Sequence, residues 1–163
     1  MEESQNQAHR DLIDEGTYLR GRIIASYAQV EFLLADLISK LEDRFAYRIE
    51  SRIKGVRRIA DMPGYEAYRY DLHRLSDELL IYEELRHFMA HGFMQAEVSR
   101  EGSHRFQLLR YTREGEGKYQ LMQSTTDIPR LKQAVSDIGS YVREVINLFE
   151  RIYREKRLEP MPM

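Results

Sequence analysis

The chain contains no cysteine, which removes disulfides, thiolate metal sites and cysteine nucleophiles at once and leaves the redox compartment undetermined. It has no run of about 18 apolar residues, the length a membrane-spanning helix needs. The first residues, MEESQNQAHRDLIDEG, are polar and acidic and lack the apolar segment of a signal peptide. These absences predict a soluble, cytoplasmic protein with no membrane contact. A strong charge of either sign is also missing: 25 Lys and Arg stand against 27 Asp and Glu, a formal net charge of −2. Global attraction to nucleic acid is therefore absent, and any phosphate contact must come from a local patch. What the chain does have is 163 residues, 42% of them hydrophobic. That suffices for one core and predicts one domain over residues 1–163.

Apolar spacing predicts a mainly α protein. Leu19, Ile23, Tyr27, Val30, Leu34, Leu37 and Leu41 recur at steps of three and four, which predicts a helix over residues 12–41 that begins earlier still, locally weakened by Gly16 and Gly21. A shorter helix is predicted over 47–60, stopped by Asp61-Met62-Pro63-Gly64, and a long one over 65–91, with Gly92 in the position of a C-terminal cap. Residues 95–98, 105–111 and 118–122 are strand-like, with turns at Glu101-Gly102-Ser103 and Glu114-Gly115-Glu116-Gly117. They predict a small antiparallel meander inserted at about 95–123. Thr126 and Asp127 offer N-cap chemistry, Pro129 suits a first turn, and Leu131, Val135, Ile138, Val142, Val145, Leu148, Phe149 and Ile152 mark a last long helix that frays at Glu159-Pro160-Met161-Pro162.

One stretch departs from this grammar. The stripe of the third helix runs Tyr68, Leu72, Leu75, Leu79, Tyr82, Arg86, Met89, Phe93, so Arg86 occupies a seam position. A cation there is costly unless it is paired, faces a wet cleft or lies between subunits. Glu31, which interrupts the apolar middle of the first helix, is a candidate partner. His91 follows Arg86 by five residues, about 500° of helix, so the two side chains leave the axis about 140° apart. A histidine in a last turn also suits capping or interaction with the helix dipole. His87 shares one helix face with Glu83 and His91, a spacing that a metal could use, but two histidines and one carboxylate fit a solvated polar face better, and no metal site is assigned.

The segment Arg86-His87-Phe88-Met89-Ala90-His91, ending a long helix before Gly92, resembles the R-x4-6-H signature of the HEPN superfamily (higher eukaryotes and prokaryotes nucleotide-binding domain). Leu85-Arg86-His87 and Ala90-His91-Gly92 match the form in which that motif commonly appears. Ala28-Gln29-Val30-Glu31-Phe32-Leu33-Leu34 is similar to the early helix of such domains. The resemblance implies a HEPN-like helical bundle of long antiparallel helices, and it covers the helical frame but not the β insert. In one branch of the superfamily a tyrosine two residues after the histidine is modified by a partner nucleotidyltransferase; Phe93 stands there in this chain.

The resemblance further implies metal-independent RNA cleavage without a cofactor, at a cleft shared by a homodimer, with Arg86 and His91 as catalytic residues and Glu31 and His87 in support. The residue types suit that chemistry. A histidine titrating near neutrality can take the proton of the RNA 2′-OH or give one to the leaving oxygen, and an arginine can hold the scissile phosphate in two hydrogen bonds. The expected ends are a 2′,3′-cyclic phosphate and a 5′-hydroxyl. A role as a toxin or antiphage component, restrained by an antitoxin protein, belongs to the same reading. Separately, Arg44, Arg48, Arg52, Lys54, Arg57 and Arg58 surround the lone acid Glu50, with Phe45 and Tyr47 interleaved, a composition suited to single-stranded RNA or to a solvated helix face. The alternative function is a non-catalytic helical dimer that binds RNA, nucleotide or a protein partner.

Overall fold

The structure, a computed structural model, describes residues 2–42, 44, 46–98 and 103–160. Four helices and three strands are seen among them: α1 (Glu2–Glu42), α2 (Ile49–Ala60), a 3-10 turn (Glu66–Tyr68), α3 (Arg69–His91), β1 (Phe93–Val98), β2 (His104–Gly115), β3 (Lys118–Thr126) and α4 (Ile128–Lys156). The protein is thus mainly helical with one small sheet, and each of these helices was foreseen in the sequence. α1 begins before residue 12, as predicted, at Glu2, whereas α2 starts at Ile49 instead of 47 and the sheet takes in residues 93–126 instead of 95–123.

The residues divide into two compact units. The first comprises Met1–Ala25 and Glu84–Asp137, the second Ser26–Glu83 and Ile138–Met163. Each has its own apolar cluster. In the first, Leu19 and Ile23 of α1 meet Phe88 and Met89 of α3, Phe106 and Leu108 of β2, and Leu131 of α4. In the second, Tyr27, Val30, Leu34 and Leu37 of α1 join Ile53, Val56 and Ile59 of α2, Leu72, Leu75 and Leu79 of α3, and Ile138, Tyr141, Val145 and Phe149 of α4.

In the first unit the sheet is antiparallel with order β1-β2-β3. Its inner face is set by alternation: Phe106 and Leu108 are buried, while Tyr111, Tyr119 and Leu121 on the opposite face are exposed. The turn predicted at Glu114-Gly115-Glu116-Gly117 joins β2 to β3, with Gly117 at a positive φ of 70° and a register shift between Arg113 and Gly115. Of the other predicted turn, Glu101 and Gly102 lie outside the described residues. Gly16 is buried, and a Cβ there would strike the ring of Phe106. The glycine predicted to weaken α1 is thus where an aromatic ring of the sheet seats on the helix backbone.

Helix ends follow known chemistry. Asp127 caps α4, its carboxylate accepting the N–H of Arg130 at 2.9 Å, as the sequence predicts. At the other end Leu158 N–H reaches the carbonyl of Tyr153 at 2.9 Å and Arg157 takes a left-handed φ of 54°, a Schellman closure at the predicted exit. Of the residues expected to fray there, Met161 and Pro162 lie outside the described residues.

Candidate functional site

Arg86, His87 and His91 occupy the last two turns of α3, in the first unit. Phe88 and Met89, 5% and 0% exposed, turn into that unit's cluster and hold the helix end to it. Because those two residues take the inward side, Arg86 and His87 are left half-buried and His91 exposed. The rings of His87 and His91 lie edge to face with centroids 6.2 Å apart, as neighbours one turn apart allow. α3 remains helical through His91, so Arg86 and His91 leave its axis about 140° apart. The seam ends differently from its prediction. Phe93, its expected last member, is the first residue of β1 and 62% exposed, because the chain changes from helix to strand at Gly92 and the helical period no longer aims it.

Gly92 stands where the sequence puts it, directly after the last residue of α3. Its φ lies outside the left-handed region, and its N–H continues the α pattern to the Phe88 carbonyl at 2.9 Å. A Cβ at this position would strike that same carbonyl oxygen, so glycine is needed for a close approach and not for its φ.

The last carbonyls at this end of α3 are met from α1. Arg20 donates from Nε to the Met89 carbonyl at 2.5 Å and from its terminal nitrogen to the Gly92 carbonyl at 3.0 Å. The last carbonyls of a helix lack intrahelical donors, and a cation is favoured beside their dipoles. Arg20 therefore fixes the backbone on both sides of His91. Sequence reasoning missed it; the available signal was a cation flanking the apolar stripe next to Leu19. Behind the same helix end, the guanidinium of Arg110 lies 4.9 Å from the centre of the Phe88 ring.

The basic segment separates into two groups. Arg52 is structural: it donates to the carbonyl of Ala46 at 2.7 Å and to that of Glu31 at 2.9 Å. Arg57 pairs with Asp77, and Arg58 grips the Glu42 carboxylate through two bonds of 3.0 and 2.7 Å. The hydrogen bond from Arg58 holds the Glu42 carboxyl below its ordinary range. Arg44, Arg48 and Lys54 remain exposed, together with Tyr47 at 81% exposure. Phe45 lies outside the described residues.

Glu31 belongs to the second unit. It is half-buried and lines an open surface cavity of about 300 Å³ with Ala28, Phe32, Ala35, Asp36, Ser39 and Arg52. Among the described residues no group of three histidines or acids is placed to hold a metal ion. Compared with protein-family models, curated proteins and solved structures, the chain matches none.

Proposed function

We propose that this protein is a metal-independent endoribonuclease of HEPN type, acting as a homodimer in which two copies of α3 meet across a shared cleft. The observation that supports it is the motif's position: Arg86 half-buried and His91 exposed in the last turns of a long helix, with the helix end clamped by Arg20. Side chains about 140° apart on one helix suit a site completed by a second copy. In this reading the 2′-OH of RNA attacks the adjacent phosphorus as the bond from phosphorus to the 5′-oxygen breaks, leaving a 2′,3′-cyclic phosphate and a protonated 5′-hydroxyl, and no metal is needed to generate the nucleophile. His91 takes or returns the proton, and Arg86 binds the phosphoryl oxygens as charge builds on them. His87 contacts substrate. Arg44, Arg48 and Lys54, beside Tyr47, offer backbone and stacking contacts to a single strand. A toxin or antiphage role with an antitoxin partner, in the cytoplasm, belongs to the same proposal.

The exposed basic and aromatic surface also favours a second reading, a non-catalytic dimer that binds RNA through the same residues. One experiment separates the two. Purified protein is incubated with single-stranded RNA in excess EDTA, and its oligomeric mass is measured by light scattering. Cleavage to cyclic phosphate ends, with the matching DNA left intact, is expected. Arg86→Ala and His91→Ala should each abolish cleavage without lowering the melting temperature, and His87→Ala should reduce it less. Binding without cleavage, weakened by neutralising Arg44, Arg48 and Lys54, would establish the second reading, and a monomeric mass would remove the shared cleft.

A further inference from the structure

We propose that β3 is the edge through which two copies of this chain join, strand against strand, into one continuous antiparallel sheet. This goes beyond the ribonuclease reading and does not rest on it. β3 is outermost in the order β1-β2-β3, so among the described residues one side of its backbone faces no strand. Such an edge presents a row of N–H and C=O groups ready to accept another strand, and proteins protect edges with short length, charge, proline or bulges.

The two edges of this sheet differ in that respect. β1 is six residues long and carries Glu97, paired with Arg105 at 3.4 Å. β3 has nine residues, and after Lys118 it reads Tyr-Gln-Leu-Met-Gln-Ser-Thr-Thr, without a charge or a proline. Its pairing with β2 is regular from Thr126 to Tyr119, the one register shift lying beyond, between Arg113 and Gly115. On the face away from the apolar cluster Tyr119 and Leu121 are 68% and 41% exposed, and Tyr111, the cross-strand neighbour of Leu121, is 71% exposed. Exposed aromatics without carboxylates are the composition of an interface core.

The pattern of charge argues that the occupant is a second copy. Two β3 strands related by a two-fold axis run antiparallel, and each satisfies the other's edge groups at once. With that axis between Gln120 and Met122, Lys118, the only charge of the strand, faces a residue from Met122 to Thr126, all of them neutral. No like charges meet. The same lack of charge gives the edge nothing with which to select a foreign strand.

Because the chain has no cysteine, single introduced cysteines report the pairing directly. Gln120→Cys, Leu121→Cys, Met122→Cys and Gln123→Cys are made one at a time in the full chain, with Glu116→Cys in the turn as control, and each is mildly oxidised. Facing Cα atoms in an antiparallel pair lie about 4.5–5.5 Å apart, within reach of a disulfide, and each residue of displacement from the axis adds about 7 Å. The expected result is a linked dimer that peaks at one position or two adjacent ones and falls on the order of tenfold two residues away. Added to Gln120→Cys, Met122→Cys or Gln123→Cys, Leu121→Lys, on an exposed face where the fold tolerates it, should abolish the link while leaving the circular dichroism unchanged. Linkage that is absent, or equal at every position including the control, overturns the proposal. It is equally overturned if no position links and Leu121→Lys instead weakens binding of single-stranded RNA, which would make this face a nucleic-acid surface. RNA cleavage by a chain whose β3 strands never link would remove this inference and leave the ribonuclease reading standing.

Discussion

Arg20 touches the carbonyls of Met89 and Gly92 and so acts on His91 through the backbone, as a positioning residue. Arg20→Ala removes two charge-assisted bonds and leaves helix-end carbonyls short of donors, so a loss of about 1.5–3 kcal/mol is expected in urea unfolding. If the motif is catalytic, the same variant should lower kcat more than it raises KM, and Arg20→Lys, which keeps one donor direction, should recover part of both. An unchanged unfolding midpoint would mean that the clamp does not hold in solution. Gly16 sets two effects against each other. Alanine is the better helix former by about 1 kcal/mol, but its Cβ would strike the ring of Phe106, and overpacking costs about 1–3 kcal/mol. Packing should win: Gly16→Ala is expected to destabilise the protein, and to stabilise it once Phe106→Leu has made room. Thermal melts of the two single variants and the double variant check the reversal of sign.

At the scale of elements, α4 carries signals at both ends that can be tested separately. Asp127→Ala removes the side-chain cap on the Arg130 N–H and should cost about 1 kcal/mol. Arg157 sits at a φ of 54°, a conformation costing a non-glycine residue about 1–2 kcal/mol and glycine nothing. After the greater chain entropy that glycine loses on folding, Arg157→Gly should still raise stability, by up to about 1 kcal/mol. Opposite shifts in denaturation midpoint, additive in the double variant because the sites lie at opposite ends of the helix, are the expected outcome. The last element of the motif region, β1, shows a limit of periodicity. Once Gly92 ends α3, side chains alternate with a period of two, and Phe93 emerges exposed although helical spacing aimed it inward.

For the whole molecule, the tyrosines decide the response to alkali. Burial first, and then the hydrogen bond to Glu155, pushes Tyr68 up to about 12. Burial likewise raises Tyr65, Tyr141 and Tyr153, with the bond from Tyr153 to Asp36 adding to the last. Each folded value lies above the ordinary tyrosine value of about 10, so the folded state favours the neutral phenol. That contribution is fully present below pH 10 and is lost as pH rises through about 12, where the unfolded chain releases protons that the folded chain retains. Urea midpoints followed by circular dichroism should therefore hold level from neutrality to about pH 10 and fall above it. Tyr68→Phe should fall less steeply; parallel declines would show that Tyr68 does not contribute.

The sequence by itself determined the local features, because each of its signals acts within a few residues. Steps of three and four predicted α1, α3 and α4, Asp61-Met62-Pro63-Gly64 predicted the end of α2, Asp127 predicted the start of α4, and Glu114-Gly115-Glu116-Gly117 predicted the β2–β3 turn. It also placed Arg86 and His91 at the end of a long helix. Only the tertiary structure decided what those residues meet. Arg20 finds its carbonyls 69 and 72 residues away, and Arg52 reaches Glu31 across 21. Composition alone made Arg52 equal to Arg48 and Lys54, yet one is bonded to the backbone and the other two face solvent. Gly16 looked like a flaw in a helix until Phe106 came from a strand to lie on it. The reason is physical: periodicity and capping depend on neighbours along the chain, whereas the partner of a charge or the ring over a glycine depends on which distant segments pack together.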